Sequence, residues 1–144
     1  MRNNLTRTAV DGSEPAQHAI DAVAAMSRAS VPVEATLLNV RDGPVYYGEL
    51  PAFSADEIEM SQKKHQDHVL ADAIAHAQAC GLDVRESLRA EGLPAAQIVS
   101  AAVACGADQI VMGTRGMGAV GSLLLGSVAQ RVVNLSTVPV LLTK

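Results

Sequence analysis

Short apolar runs in this chain alternate with longer stretches whose apolar residues recur every three or four positions. The first run, Leu5–Val10, reads as a strand. It leads into Asp11-Gly12-Ser13-Glu14-Pro15, where Ser13 suits a helix N-cap and Pro15 a first helical turn. From Pro15 to Ser30, Ile20, Val23 and Ala24 share one helical face, and Pro32 stops the helix. Val33–Val40 reads as a second strand. Arg41–Ser54, with Gly43, Pro44, Gly48 and Pro51, reads as a long loop. Ala55–Cys80 is a long helix ending at Gly81. Asp83–Arg89 is an alternating strand, and Glu91-Gly92-Leu93 turns into a helix that Pro94 opens and Gly106 caps. Gln109–Met112 is a short apolar strand. A glycine-rich segment follows, Gly126 and Ser127 open a last helix to about Leu135, and Val138–Leu142 is a final strand.

Strands alternating with helices predict an α/β fold, with five parallel strands in an open sheet and helices on both faces. Crossovers are expected to be right-handed. Ligands of such sheets bind beyond the carboxyl ends of the strands, where the strand order reverses. That rule brings four loops together: Asp11–Ser13, Val40–Arg41, Leu88–Gly92 and Gly113–Ser127.

Composition narrows the picture. The 144 residues suit one domain, 1–144, and 49% apolar against 18% charged residues excludes disorder. There is no apolar run of about 18 residues to span a membrane. Met1–Thr8 lacks the apolar core of a secretory signal, and Pro139–Lys144 carries no lipidation box. A soluble, cytoplasmic protein is expected. The net charge of −4 argues against a nucleic-acid coat. So do the aromatics, Tyr46, Tyr47 and Phe53, which all lie in one loop. Cys80 and Cys105 have no metal or redox spacing. Each reads as a small buried residue at a helix end before a glycine cap, and no disulfide is expected.

All 15 acidic residues lie within 1–108, whereas the last 36 residues hold Arg115, Arg131 and Lys144, no acid, and five of the 11 glycines. A basic, glycine-rich, acid-free segment suits an anionic ligand. Glycines admit close backbone approach, Ser127 offers a hydroxyl at a helix start, and Arg115 can pair with phosphate oxygens. The segment lacks GxxxxGK[ST], since Ser127-Val128 follows Gly126. GxGxxG occurs at Gly116, Gly118 and Gly121, but away from the preceding strand and with no acid downstream for a ribose. Dinucleotide binding of that type is not expected. A glycine-rich turn with no ligand is the plain alternative.

The spacing Gly113-x2-Gly116-x9-Gly126-Ser127 resembles the G-2x-G-9x-G-[ST] signature of the universal stress protein family, ATP-binding type. Val10–Glu14 is similar to that family's first strand and turn. Gly106–Gly116 is similar to its fourth strand, and Thr137–Leu142 to its last. The resemblance covers essentially the whole chain. It implies a Rossmann-like open sheet and a homodimer paired through the last strand. It also implies an adenine nucleotide as ligand: ATP, or AMP or ADP, with Mg²⁺. On this resemblance Gly113, Gly116, Gly126 and Ser127 would contact ribose and phosphates, with Val128 following at the helix start. Ala9, Val10 and Asp11 would lie by adenine and ribose, Val40 would offer backbone contacts to the base, and Met112 and Arg115 would occupy variable positions of the pocket. Arg7 departs from the pattern, because a central parallel strand is normally a continuous apolar run. Either Arg7 lies near the start of the strand and reaches solvent, or the strand is locally strained. Arg7→Val is expected to stabilise the protein.

His65, His68, Asp72 and His76 fall within about 80° of one helix face. They read as a solvated stripe beside Val69, Ala73 and Ala77, with a surface metal site as the alternative. The aromatic loop reads as a lid near the pocket or a partner-contact patch, or equally as a loop folded onto its own Tyr and Phe. No catalytic spacing stands out, and Asp11 is the only acid expected near the phosphates. Slow ATP hydrolysis at most is indicated. The expected function is a small dimeric nucleotide-binding switch or sensor that signals stress through protein partners. A slow ATPase on the same fold, and a nucleotide-independent interaction protein with a vestigial pocket, are the alternatives.

Overall fold

A computed structural model describes residues 4–29, 32–42, 55–115 and 125–144. Its elements are β1 (Asn4–Ala9), α1 (Glu14–Ala29), β2 (Val33–Arg41), α2 (Ala55–Ala79), β3 (Val84–Glu91), α3 (Pro94–Cys105), β4 (Gln109–Gly113), α4 (Ser127–Leu135) and β5 (Val140–Thr143). All strand pairs are parallel, in the order β3-β2-β1-β4-β5. The chain therefore steps outward from β1 to β3, then crosses back to put β4 on the other side of β1. The order reverses between β1 and β4, which is where such a sheet opens a crevice.

Period-two alternation sends neighbouring strand residues to opposite faces. Leu37 and Val111 pack under α1 and α2 with Ala19, Ile20, Val23, Val69, Leu70, Ala73 and Ala77. Leu38, Ile110 and Met112 pack on the other face under Ala95, Ile98 and Ala102 of α3 and Ala129 and Val132 of α4. Alanines at the contacts let the helices approach closely, so a core nearly free of aromatics still fills. Gly106, at φ +66°, ends α3 in the left-handed conformation and donates its N–H to Val103 O.

All five strands differ from their sequence expectation by a residue at one end or both, and two of them by more than one. β3 continues past Arg89 to Glu91, because its end is tied inward. Gln66 Nε2 donates to Ala90 O at 3.1 Å, and Arg41 Nη2 meets Glu91 Oε2 at 2.7 Å. β5 starts at Val140, not Val138. Before it, the Ser136 hydroxyl donates to Val138 O and accepts from Val138 N, which folds the chain locally.

Arg7 corrects both alternatives raised for it. It is 1% exposed, so it does not reach solvent. Its backbone stays in register with Thr36 on one side and Ile110 on the other, with no left-handed residue in the strand. Nη2 donates to Ala101 O of α3 at 3.2 Å, while Nε and Nη1 have no partner among the described residues.

Candidate functional site

A cleft of about 370 Å³ lies at the carboxyl ends of the central strands. That volume falls in the usual range for small-molecule sites. Ala9 and Val10 at the end of β1, Leu38 and Val40 of β2, Met112 of β4 and Ile98 of α3 give it apolar walls. Asp11, Ser13, Asp42, Thr114, Arg115 and Ser127 contribute its polar groups.

The first turn is rigidly built. Ser13 caps α1 by accepting from Ala16 N at 3.3 Å. The Ser13 hydroxyl and its N–H, the latter at 2.9 Å, both donate to Asp11 Oδ1. Gly12 supplies the positive φ, +86°, that this turn requires. The residue before it, Val10, donates to Leu38 O at 2.9 Å and accepts from the buried Asn39 Nδ2 at 2.8 Å. Gln66, also buried, donates to Asn39 O at 3.2 Å. Asn39 thus holds the end of β1 in place. Sequence reasoning missed it, although a lone amide in Leu37-Leu38-Asn39-Val40 was a signal that it must be hydrogen-bonded.

The neck of the glycine-rich segment explains two of its glycines. Gly126 N–H donates to Thr114 O at 2.7 Å, and Thr114 N–H donates to Thr143 O at 2.7 Å. A Cβ on Gly113 would lie 2.7 Å from Pro15 Cβ, and one on Gly126 would lie 3.2 Å from Thr114 O. Backbone segments meet here more closely than a side chain allows.

Beyond this neck α4 begins. Among the described residues no side chain caps it, and its first turn holds no acid. The amides of Ser127, Val128 and Ala129 have no carbonyl one turn back within the helix to bond. All three residues, with Gly126, line the cleft. A helix start of this kind attracts anions through its amides and its dipole. Ser127 and Arg115 both line the cleft, and Arg115 Cα would lie 3.4 Å from a Cβ built on Gly126. The donor set therefore fits a ligand with an anionic end and a flat apolar end.

The structure brings Ala9, Val10, Asp11, Val40, Met112, Gly113, Arg115, Gly126, Ser127 and Val128 into this one cleft. Gly116 lies outside the described residues, as do Tyr46, Tyr47 and Phe53 of the aromatic loop. Asp11 was expected to be the only acid near the phosphates; Asp42, exposed at the end of β2, is a second carboxylate on the lining. The histidine stripe does not assemble as a site of four. His68 pairs with Asp72 at 3.3 Å, whereas His76 turns to Asp21 of α1 at 2.7 Å. Among the described residues no helix is long and apolar enough to cross a membrane.

Comparison with known proteins agrees with this architecture. The model of the "Universal stress protein family" matches residues 8–144. A universal stress protein encoded beside a QAH/OAS sulfhydrylase in Thermus aquaticus is 39% identical, over 94% of this chain and 95% of its own. Universal stress protein YxiE of Bacillus subtilis is 32% identical, over 98% of this chain and 99% of its own. Among solved structures, UspA of Lactobacillus plantarum superposes with a TM-score of 0.82 at 21% identity, covering 100% of this chain and 99% of that one. A family member from Arabidopsis thaliana, solved with AMP bound, superposes with a TM-score of 0.67 at 20% identity, covering 98% and 91%. One from Archaeoglobus fulgidus, solved in complex with dAMP, gives 0.67 at 21%, covering 99% and 98%. By sequence and by fold, the chain belongs to the universal stress protein family.

Proposed function

We propose that the cleft binds an adenine nucleotide, ATP or its shorter relatives, and that the protein works as a small homodimeric switch in a stress response. The observation that carries this reading is the start of α4: without a side-chain cap among the described residues, acid-free, and opening onto a cleft that also has apolar walls. The amides of Ser127, Val128 and Ala129, the Ser127 hydroxyl and Arg115 would take the phosphates. The purine would lie against Val10, Val40, Ile98 and Met112. Asp11, oriented by Ser13, would accept from ribose hydroxyls. Asp11 and Asp42 are the carboxylates available to Mg²⁺. The AMP and dAMP complexes of the plant and archaeal relatives support this choice of ligand. For the dimer, β5 is an edge strand that leaves Leu141 exposed, and an unpaired edge invites a second strand.

Among the described residues the cleft lining includes no histidine or cysteine, and this reading is of binding rather than fast turnover. Titration calorimetry on nucleotide-free protein tests it. One ATP or AMP per chain is expected, and Ser127→Ala should weaken binding by roughly tenfold or more, since a hydrogen bond to a charged group contributes about 1.5–3 kcal/mol. Absence of heat with either nucleotide would leave the cleft without this role. Rapid ATP turnover in the same sample would favour the enzymatic alternative.

A further inference from the structure

We propose that Asp21, His76 and Cys80 form a Zn²⁺ site at the seam between α1 and α2. Asp21 Oδ1 lies 2.7 Å from His76 Nε2 and 3.4 Å from Cys80 Sγ, and Cys80 Sγ lies 3.9 Å from His76 Nε2. Among the described residues this is the one group of three possible ligands converging within 4.8 Å.

The convergence has the geometry of coordination. Zinc binds nitrogen and oxygen at about 2.0–2.1 Å and sulfur at about 2.3 Å, so ligand atoms around a tetrahedral ion stand roughly 3.3–3.6 Å apart. Both sulfur distances are already within about 0.4 Å of that spacing. The oxygen–nitrogen pair, now bridged by a proton, needs to open by about 0.6 Å. A thiol–imidazole–carboxylate relay has a different shape, with the carboxylate on one ring nitrogen and the thiol on the other. Here both face Nε2, so the three groups surround a point rather than forming a line.

The frame is firm. His76 and Cys80 stand four residues apart at the end of α2, and Cys80 N–H donates to His76 O at 3.1 Å. Arg28 Nη1 holds Cys80 O at 3.1 Å. The two helices share one apolar core through Ile20, Val23, Ala73 and Ala77. The side chains of His76 and Asp21 are 32% and 47% exposed, which leaves a path for the ion and room for water as a fourth ligand. Helices here run antiparallel to the strands they follow, so the last turn of α2 lies at the edge where strands begin. The nucleotide cleft lies at the opposite edge.

The chemistry balances. A carboxylate, a thiolate and a neutral imidazole around Zn²⁺ make a site with no net charge. The Cys80 thiol proton leaves to solvent, the proton now on His76 Nε2 is exchanged through solvent to Nδ1 so that Nε2 can bind the ion, and no electrons are transferred. Thiolate with imidazole favours zinc over magnesium or calcium.

Zn²⁺ titration of reduced, metal-free protein against a chromogenic chelator tests the site, with Co²⁺ as a spectroscopic probe. One equivalent is expected, with a thiolate-to-cobalt charge-transfer band and intense tetrahedral d–d bands. Asp21→Asn and His76→Gln should each weaken binding at least about tenfold, the loss seen when a mere outer-shell partner is removed. Cys80→Ser, close in size, should abolish the charge-transfer band while keeping the metal-free melting temperature. His68→Ala should change nothing. No stoichiometric binding, or binding that survives all three ligand variants, or binding lost in His68→Ala, overturns the proposal.

Discussion

Arg7 places a guanidinium in the buried central strand between Thr6 and Thr8, with one hydrogen bond to a helix carbonyl and two nitrogens that have no partner among the described residues. A buried charge without a matching anion costs more than its contacts return. Arg7→Val removes the charge but leaves a void; Arg7→Met fills more of the space. We expect Arg7→Met to stabilise by about 1–4 kcal/mol and Arg7→Val by less. Thermal unfolding checks the order, and a lower melting temperature for both variants would show that the guanidinium is satisfied. Gly113 shows the opposite constraint. Its missing Cβ is what allows Pro15 to sit against β4. Gly113→Ala should cost about 1–3 kcal/mol, as overpacking does. It should also weaken nucleotide binding by tilting α1 away from β4. An unchanged melting temperature contradicts that.

At the scale of elements, helix ends carry much of the specification. Gly106 sits at φ +66° with open space where a Cβ would go, so Gly106→Ala meets only the backbone penalty. The expected loss is about 1–2 kcal/mol, or roughly 2–8 °C in melting temperature; no loss would mean the end of α3 can relax out of its left-handed cap. The caps at Ser13, Gly81 and Gly106 were legible in the sequence because a cap needs only residues adjacent in the chain. The cleft was legible for a related reason. Gly113, Gly126 and Ser127 keep a fixed spacing across one connection, and strand order places Val10 and Asp11 beside them. The extents of β3 and β5 were less so, because they depend on Gln66 and Ser136 bonds that spacing does not announce. Of the group at Asp21, His76 and Cys80, the sequence reading took His76 and Cys80 separately and Asp21 not at all. Fifty-five positions separate Asp21 from His76, and helical periodicity grouped His76 with His65 and His68 instead.

Taken whole, the molecule divides its charges by chain segment where its sheet reverses order. The acid-free final quarter of the chain supplies β4, α4 and Arg115 to one side of the crevice, while the acidic remainder supplies Asp11 and Asp42 to the other. Phosphates on one side and ribose or Mg²⁺ on the other is the division such a field favours. The most direct test is thermal unfolding of nucleotide-free protein with ATP–Mg²⁺, AMP, NAD or no ligand. A ligand at 100 times its Kd adds about 2.7 kcal/mol, which for a domain near this size is roughly 5–11 °C. A shift of that order with ATP and AMP, absent with NAD and reduced in Ser127→Ala, is the result expected. No shift with any adenine nucleotide would contradict the central claim and leave a universal stress protein whose cleft is vestigial.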